Sequence, residues 1–210
     1  MDAEPLRSKL VTTGVELLEE EGLANLSLRA ITRRAGVSHG APRRYFPTHG
    51  ALLGAIATTG INDLTVRLSR LGAGTPRERL TRACERYLEF ATDRPAMFEL
   101  IFRHDLLSGS GANLRALSLP LFGSLVDLVA AVPTTSTEKA WQKTIGIWTG
   151  LHGFAVLRAA HSLDLMNASD PAPVIAHCLS AYLPEATASH RPKDSTLSEG
   201  PDSSEGSAVE

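Results

Sequence analysis

The chain has 210 residues, of which 43% are hydrophobic, and its 21 basic and 23 acidic residues leave a formal net charge of −2. This length and apolar content suit a small module plus one larger domain with a buried core, which excludes a fibrous or wholly disordered chain. Two cysteines at positions 84 and 178 are too few and too far apart for a disulfide framework or a cysteine metal site.

The acidic N-terminus lacks the apolar core of a signal peptide, and the longest uncharged apolar-rich run, 144–157, is too short to span a bilayer. We therefore expect a soluble cytoplasmic protein that contacts no membrane and holds no metal or other cofactor.

The first predicted helix runs from about Pro5 to Glu21 and ends at Gly22, which can adopt the left-handed conformation of a helix C-terminus. A shorter helix follows, with Ser27 as its N-cap and Gly36 as its end. Ser38 is a second cap, and it predicts another short helix over roughly 39–45. Two short helices joined by such a turn form a helix-turn-helix.

This segment is strongly basic. Between Gly22 and Asn62 there is no acidic residue, but there are five arginines, Arg29, Arg33, Arg34, Arg43 and Arg44. Guanidinium groups bind phosphates and base edges of DNA in bidentate geometry, so the pattern favours a nucleic-acid interface. The alternative is an ordinary helical hairpin with a solvated basic face.

Thr48 caps a long helix in the segment 48–74, which carries apolar residues every three or four positions and joins two domains. Gly72 and Gly74 interrupt the pattern, and a capping box of Thr75 and Glu78 starts the next helix. From 75 to 183 the chain reads as successive helices without strand-like alternation, so the predicted fold class is all-α.

Large apolar side chains in this second domain could line a pocket for an apolar ligand, or could simply be core. The candidates are Met97, Phe98, Phe102, Phe122, Trp148 and His152. A lone histidine on an apolar helical face is more often a core residue than a ligand, and no Ser, Cys or carboxylate stands at a spacing that would make His152 part of a nucleophilic relay. We therefore expect no enzymatic activity.

The helix from about Glu138 to Ser162 is apolar on nearly all sides and carries a glycine stripe, Gly146, Gly150 and Gly153. Such a stripe indicates close approach of another helix. That helix could belong to a second subunit or to the same one, and the sequence leaves both open. Beyond Pro184 the composition turns to Ser, Pro, Gly and acids, which predicts a disordered acidic tail over 184–210.

The stretch LSLRAITRRAGVSHGAPRRYFPTHGALL resembles the DNA-binding segment of the TetR family of transcriptional regulators. The later WTGLHG, residues 148–153, resembles the branch of that family whose C-terminal domain carries a Trp, His, Gly (WHG-type) pattern. The resemblance implies an N-terminal three-helix helix-turn-helix domain over 1–47, a connecting helix over 48–74, and a larger C-terminal helical ligand-binding and dimerisation domain over 75–183.

The resemblance also implies functional residues. The DNA-contacting set is Ser27, Arg29, Ser38, His39, Gly40, Ala41, Arg43, Arg44, Tyr45, Thr48 and His49. The dimer interface, formed by the last two long helices in relatives, would contain Gly146, Gly150, Gly153, Ile175, Leu179 and Tyr182.

We therefore expect a homodimeric regulator that binds double-stranded operator DNA, with repression as the default and release by a small, mainly apolar effector. Two other classes remain open, a DNA-binding regulator without a ligand and a helical enzyme or protein-interaction module with a basic hairpin. Thermal shifts across a metabolite panel distinguish a regulator without a ligand from one that senses a ligand. A helical enzyme or interaction module is identified by the absence of salt-sensitive DNA binding.

Overall fold

The computed structural model describes residues 3–38, 40–133 and 136–184, and within these ranges it contains helices and turns but no strand, which confirms the all-α prediction. The α-helices are α1 Ala3–Glu21, α2 Leu28–Ala35, α3 His49–Ser69, α4 Pro76–Asp93, α5 Pro95–Phe102, α6 His104–Leu107, α7 Arg115–Ala130, α8 Thr137–Ala159 and α9 Pro171–Tyr182. Three short 3-10 segments span Leu23–Asn25, Ala41–Arg44 and Asp164–Met166. The predicted contact His39 and the predicted acidic tail after Pro184 lie outside the described residues.

The helix ends follow the capping signals in the sequence. The Ser27 hydroxyl accepts a hydrogen bond from the Ala30 N–H at 3.1 Å, and Gly36 ends α2 with a φ of 65°. The capping box of α4 is reciprocal, because the Glu78 carboxylate accepts from the Thr75 N–H at 2.9 Å while the Thr75 hydroxyl accepts from the Glu78 N–H at 3.3 Å. Local side-chain chemistry therefore sets these boundaries.

The second helix of the predicted helix-turn-helix is a single 3-10 turn, Ala41–Arg44, and not a helix over 39–45. Pro42 has no N–H to donate to a preceding carbonyl, so the hydrogen-bond ladder cannot extend backward through it. The turn closes forward instead, where the N–H groups of Tyr45 and Phe46 both donate to the Pro42 carbonyl at 2.9 and 2.8 Å. Because this turn is not an α-helix, the predicted long helix that Thr48 caps is the third α-helix, α3.

Helix α3 contacts α1 of the N-terminal unit and also α4, α5, α6 and α7. It has buried apolar side chains along its whole length, from Leu52 to Leu68, and they join the cores of the two predicted domains into one continuous cluster. Gly60 lets α5 approach closely, since a Cβ there would lie 2.5 Å from the Met97 sulfur. The long helix is thus a packed element of both units.

The rest of the larger domain surrounds α4 and α8. Helix α4 packs against α7, α8 and α9, and α8 packs against α7 and α9. Cys84 of α4 and Cys178 of α9 are buried free thiols, as their positions on apolar faces predict. Among the described helices, none combines the length and the hydropathy needed to cross a membrane.

A chain of charges ties the N-terminal unit to the larger domain. The Arg94 guanidinium, between α4 and α5, binds Glu19 of α1 through Nε at 2.8 Å and Asp63 of α3 through Nη1 at 2.9 Å. Arg67 continues the chain, with its Nη1 2.7 Å from an Asp93 carboxylate oxygen. The Arg94 side chain is only 21% exposed, so this ion-pair network is partly buried.

We predict that Arg94→Ala lowers the free energy of unfolding by roughly 2 kcal/mol, because it leaves two partly buried carboxylates without their common cation. Urea denaturation followed by circular dichroism measures the loss. The matched control is Arg86→Ala, which removes an ion pair whose side chains are 51% and 48% exposed. That control should change stability by no more than about 0.5 kcal/mol, and equal effects of the two substitutions would contradict a structural role for the charge chain.

Candidate nucleic-acid interface and apolar cavity

The helix-turn-helix carries four exposed arginines that form no ion pair with any described residue. They are Arg29, Arg33, Arg43 and Arg44. Two come from α2 and two from the 3-10 turn, so one compact unit carries all four charges. Unpaired guanidinium groups are available to bind phosphates or guanine edges.

The fifth arginine of the basic stretch is different. Both terminal nitrogens of Arg34 bind Glu20 of α1, with Nη1 2.9 Å from the carboxylate oxygen. The hydrogen bond and the charge of Glu20 raise the pKa of Arg34. Because the stretch 22–62 contains no acid, the sequence predicts five unopposed arginines. That prediction is wrong for Arg34, because Glu20 of α1, which precedes this stretch in the sequence, lies beside Arg34 in the fold.

Two residues predicted to contact DNA are helix caps. The Ser27 hydroxyl caps α2, and the Thr48 hydroxyl accepts from the Ala51 N–H at 3.0 Å to cap α3. Both side chains are exposed, at helix N-termini where backbone N–H groups favour a phosphate.

Most of the remaining predicted DNA residues cluster around the same turn. Ser38, Gly40 and His49 are exposed, whereas Ala41 and Tyr45 are half-buried. Phe46 is buried below them at 3% exposure, with the Arg7 guanidinium of α1 5.4 Å from its ring centre. The aromatic ring thus anchors the turn to α1.

The larger domain contains a cavity of about 270 Å³ between α3, α4, α5, α7 and α8. Its lining residues are Ile61, Leu64, Leu68, Tyr87, Ile101, Phe102, His104, Leu114, Arg115, Ser118, Leu119, Leu121, Phe122, Leu125 and Trp148. Phe102, Phe122 and Trp148 are three of the six residues predicted to form such a pocket. Its size and apolar walls are typical of a small-ligand site.

The other three predicted pocket residues lie behind that wall. Met97 and Phe98 are buried in the core at 0% and 4% exposure. The Phe98 ring packs against Phe102 at a centroid distance of 4.9 Å, and the His152 ring lies 4.5 Å from Phe102. These three residues support the wall and do not line the cavity. Met97 and Phe98 of α5 face α3 and α4, and His152 of α8 packs against Phe98.

The polar groups beside the cavity satisfy one another. The Trp148 indole N–H donates to the Tyr87 hydroxyl at 3.2 Å, and the same hydroxyl lies 2.9 Å from His152 Nδ1. Burial raises the pKa of Tyr87 and lowers the pKa of His152, so both side chains are neutral near pH 7. Among the described residues, no carboxylate or nucleophile hydrogen-bonds to this cluster.

The predicted dimer residues are mostly engaged within one chain. Ile175 and Leu179 are buried in the subunit core at 4% and 3% exposure, so their side chains are not available to a partner. A Cβ on Gly146 would overlap the Tyr182 ring, and one on Gly150 would lie 2.7 Å from the Cys178 sulfur. The glycines therefore let α8 and α9 of one subunit approach closely, which is the second of the two alternatives left open by the sequence. Gly153 has no such neighbour within 4 Å.

Several cavity residues were not identified from the sequence. Ile61 and Leu64 belong to the connecting helix, whose apolar pattern does not distinguish a cavity wall from core. Tyr87 lies on the buried face of α4 and was read as core. Arg115 precedes eleven uncharged residues, 116–126, but any uncharged run ends at a charged residue, so the sequence alone does not single it out.

Two family models match the chain. The model described as "Bacterial regulatory proteins, tetR family" covers residues 10–56, and the model described as "Tetracyclin repressor-like, C-terminal domain" covers residues 80–182. The first covers most of α1, all of α2 and the 3-10 turn, and so includes the four exposed arginines. The second spans most of the cavity-bearing domain.

Individual proteins agree with this division. An uncharacterized HTH-type transcriptional regulator of Mycobacterium tuberculosis, Rv0681, is 22% identical over 161 residues, which is 75% of this chain and 72% of that protein. A protein of unknown function from Rhodococcus sp. RHA1 superposes with a TM-score of 0.71 at 27% identity, covering 84% of this chain and 93% of the other.

BioQ, solved with its natural double-stranded DNA operator, superposes with a TM-score of 0.57 at 19% identity over 83% of this chain and 98% of that one. With both family models matched in order on a helix-turn-helix and a helical C-terminal domain, this chain belongs to the TetR family of transcriptional regulators.

Proposed function

We propose that the protein is a homodimeric repressor that binds a palindromic or near-palindromic operator and is released from it by a small, mainly apolar effector. The observation that carries this proposal is that α3 belongs to both sites. Its N-terminus adjoins the arginine-bearing turn, and its middle, through Ile61, Leu64 and Leu68, lines the cavity.

On the DNA side, the turn 38–45 enters a major groove and presents Arg43 and Arg44 to base edges and phosphates. Arg29 and the capped N-termini of α2 and α3 then position the phosphate backbone. The four unpaired arginines support this arrangement, because a purely structural hairpin has no need of unneutralised charge.

We propose that the outward sides of α8 and α9 form the dimer interface, in place of the predicted glycine stripe on α8. Neither the run 144–157 nor α9 contains Asp, Glu, Lys or Arg. Ile145, Val156 and Leu157 are 38%, 49% and 48% exposed. The outward side of α9 adds Ala172, Ala176 and Ser180, which are small enough to let a partner helix approach. An uncharged, partly apolar face of this kind suits an interface between copies.

The cavity also reaches α3 by a second route. The loop before α7 rests on the first half of α3, where a Cβ on Gly54 would lie 2.8 Å from the Ser110 hydroxyl and 2.9 Å from the Ala112 side chain. Leu114 and Arg115, just beyond that loop, line the cavity. A ligand that displaces the start of α7 therefore pushes on α3 close to the DNA-binding turn, which alters the spacing of the two turns in a dimer.

We also propose that the chain belongs to the WHG-type branch. Trp148 and His152 of the WTGLHG motif both contact the Tyr87 hydroxyl, and Gly153 follows on the same helix. A shared polar contact gives a physical reason for keeping these residue types together beside the cavity.

The competing functions have fewer supporting observations. A regulator without a ligand has no need of a cavity of about 270 Å³ that reaches the connecting helix. A helical interaction module does not explain four unpaired arginines on one helix-turn-helix.

We predict that Arg44→Ala weakens operator binding by roughly fivefold to 100-fold, because a guanidinium contact to a base or phosphate contributes on the order of 1–3 kcal/mol. The operator is first selected from a random DNA pool with the purified protein, and affinity is then measured by fluorescence anisotropy at several salt concentrations. Arg86→Ala on α4 is the control and should bind as the unchanged protein does. Unaltered affinity of the Arg44 variant at near-physiological salt would contradict the groove assignment.

The dimer proposal predicts that Val156→Glu produces monomers, because a charge is buried in the proposed apolar interface. Sedimentation velocity measures the mass, and circular dichroism verifies the helical signal. Val66→Glu is the matched control, since Val66 is also exposed, at 43%, but lies on α3. A Val156 variant that remains dimeric with full operator affinity would exclude this face.

The effector proposal predicts that a compound that raises the melting temperature in a metabolite panel also releases the operator. Ser118→Trp should abolish both effects by filling the edge of the cavity, whereas Ser124→Trp, on the same helix but outside the cavity lining, should retain them. A panel without any stabilising compound would favour the regulator that needs no ligand.

A further inference from the structure

We infer that the effector is an amphipathic carboxylate, whose apolar chain occupies the cavity and whose head group binds Arg115. This inference rests on the proposed effector function of the cavity and adds the chemical class of the ligand. It follows from the way polarity is distributed along the cavity.

The cavity is apolar inside and basic at one edge. Of its fifteen lining residues, twelve are aliphatic or aromatic and none is acidic. The other three are His104, Arg115 and Ser118, all of which are exposed. Arg115 and Ser118 lie one turn apart on α7, so the edge offers a guanidinium and a hydroxyl on the same side of a helix.

Arg115 has no carboxylate partner among the described residues. The acidic side chains flanking His104 are used elsewhere, because Arg103 binds Asp105 through two nitrogens at 2.8 Å each and reaches Glu99 at 3.4 Å. A cation beside an apolar cavity, with the neighbouring acids already engaged, is positioned to bind an anion from solution.

The residues at the inner end of the cavity exclude a ligand orientation in which the charged head group points inward. Next to it, on the other side of Tyr87, Leu125 and Trp148, lies a second cavity of about 30 Å³, whose lining includes Cys84 and Thr144 and no charged residue. The Tyr87 hydroxyl already pairs with Trp148 and His152. A charged head group placed there would lose its hydration without a free partner, so the apolar chain points inward.

The size and the donors favour a small carboxylate over a larger anion. A cavity of about 270 Å³ is close to the lower limit of the roughly 300–1,000 Å³ range of ligand sites, so it suits a compound of on the order of ten non-hydrogen atoms. A single guanidinium matches a planar carboxylate in bidentate geometry. A nucleotide-linked or multiply phosphorylated ligand would exceed both the space and the number of cations.

The test compares three eight-carbon probes that differ only in head group, octanoate, octan-1-ol and octylamine, by isothermal titration calorimetry on the full chain. We expect one octanoate per subunit, bound about tenfold more tightly than octan-1-ol, because the head group gains a charge-assisted hydrogen bond. Octylamine should bind most weakly, and added salt should weaken octanoate binding but not octanol binding.

Variants identify the residue responsible. Arg115→Gln should remove the preference for octanoate while octan-1-ol binding persists, and Arg115→Lys should restore part of that preference. Arg86→Gln, which removes a cation of α4 remote from the cavity, should leave all three affinities unchanged. Persistent octanol binding by the Gln variant verifies that its cavity remains folded.

Three results would overturn the inference. Equal affinities for octanoate and octan-1-ol would exclude recognition of a carboxylate. An undiminished preference for octanoate in Arg115→Gln would exclude Arg115 as the residue that binds it. Failure of all three probes to bind would also defeat it. In each case the metabolite panel with the Ser118→Trp and Ser124→Trp pair tests the effector proposal separately, because that pair depends on occupancy of the cavity and not on the head group.

Discussion

The burial of α3 is the constraint on which the rest of the molecule depends. One end of this helix completes the core of the helix-turn-helix unit, and the remainder completes the core of the larger domain, so neither unit has a separate apolar interior. The charge chain through Arg94 and Asp63 links α3 to α1. Asp63 lies one turn beyond Gly60 and two turns beyond Ile56, both of which are buried, so apolar packing and ion pairing act on the same side of the helix. A movement of α3 must therefore disturb both.

This shared helix gives a physical account of the proposed regulation. A cavity in a separate domain would need a flexible linker to transmit an effect, and flexible linkers transmit little force. Here the cavity wall and the support of the DNA-binding turn are successive turns of one helix, with Gly54 and Gly60 as two points where neighbouring elements approach it closely. Because glycine has no side chain that could move in response, a shift of the loop before α7 or of α5 acts directly on the α3 backbone.

Sequence reasoning was most accurate where the determinants are local. The caps at Ser27 and Thr75, the end of α2 at Gly36 and the all-α fold depend on residues within one turn of each other, and all are present. The errors concern contacts between distant residues. Arg34 pairs with an acid fourteen positions earlier, and Ile175 faces its own core and not a partner. Periodicity identifies an apolar face but not which neighbour covers it, and it gave no means of separating the wall residue Phe102 from the core residue Phe98. The 3-10 turn at Pro42 was a local effect that the helix pattern concealed.

The burial of the two cysteines determines how this domain responds to oxidants and electrophiles. Desolvation raises the pKa of the Cys84 thiol to about 12, and burial also raises the pKa of Cys178, whose sulfur packs beneath Gly150. Only the thiolate attacks peroxides or alkylating agents, and at neutral pH the Cys84 thiolate is nearly absent. Covalent modification of either sulfur therefore requires α4, α8 and α9 to separate first, so in the folded protein these thiols act as apolar packing groups, and their labelling rate measures opening of the helix bundle.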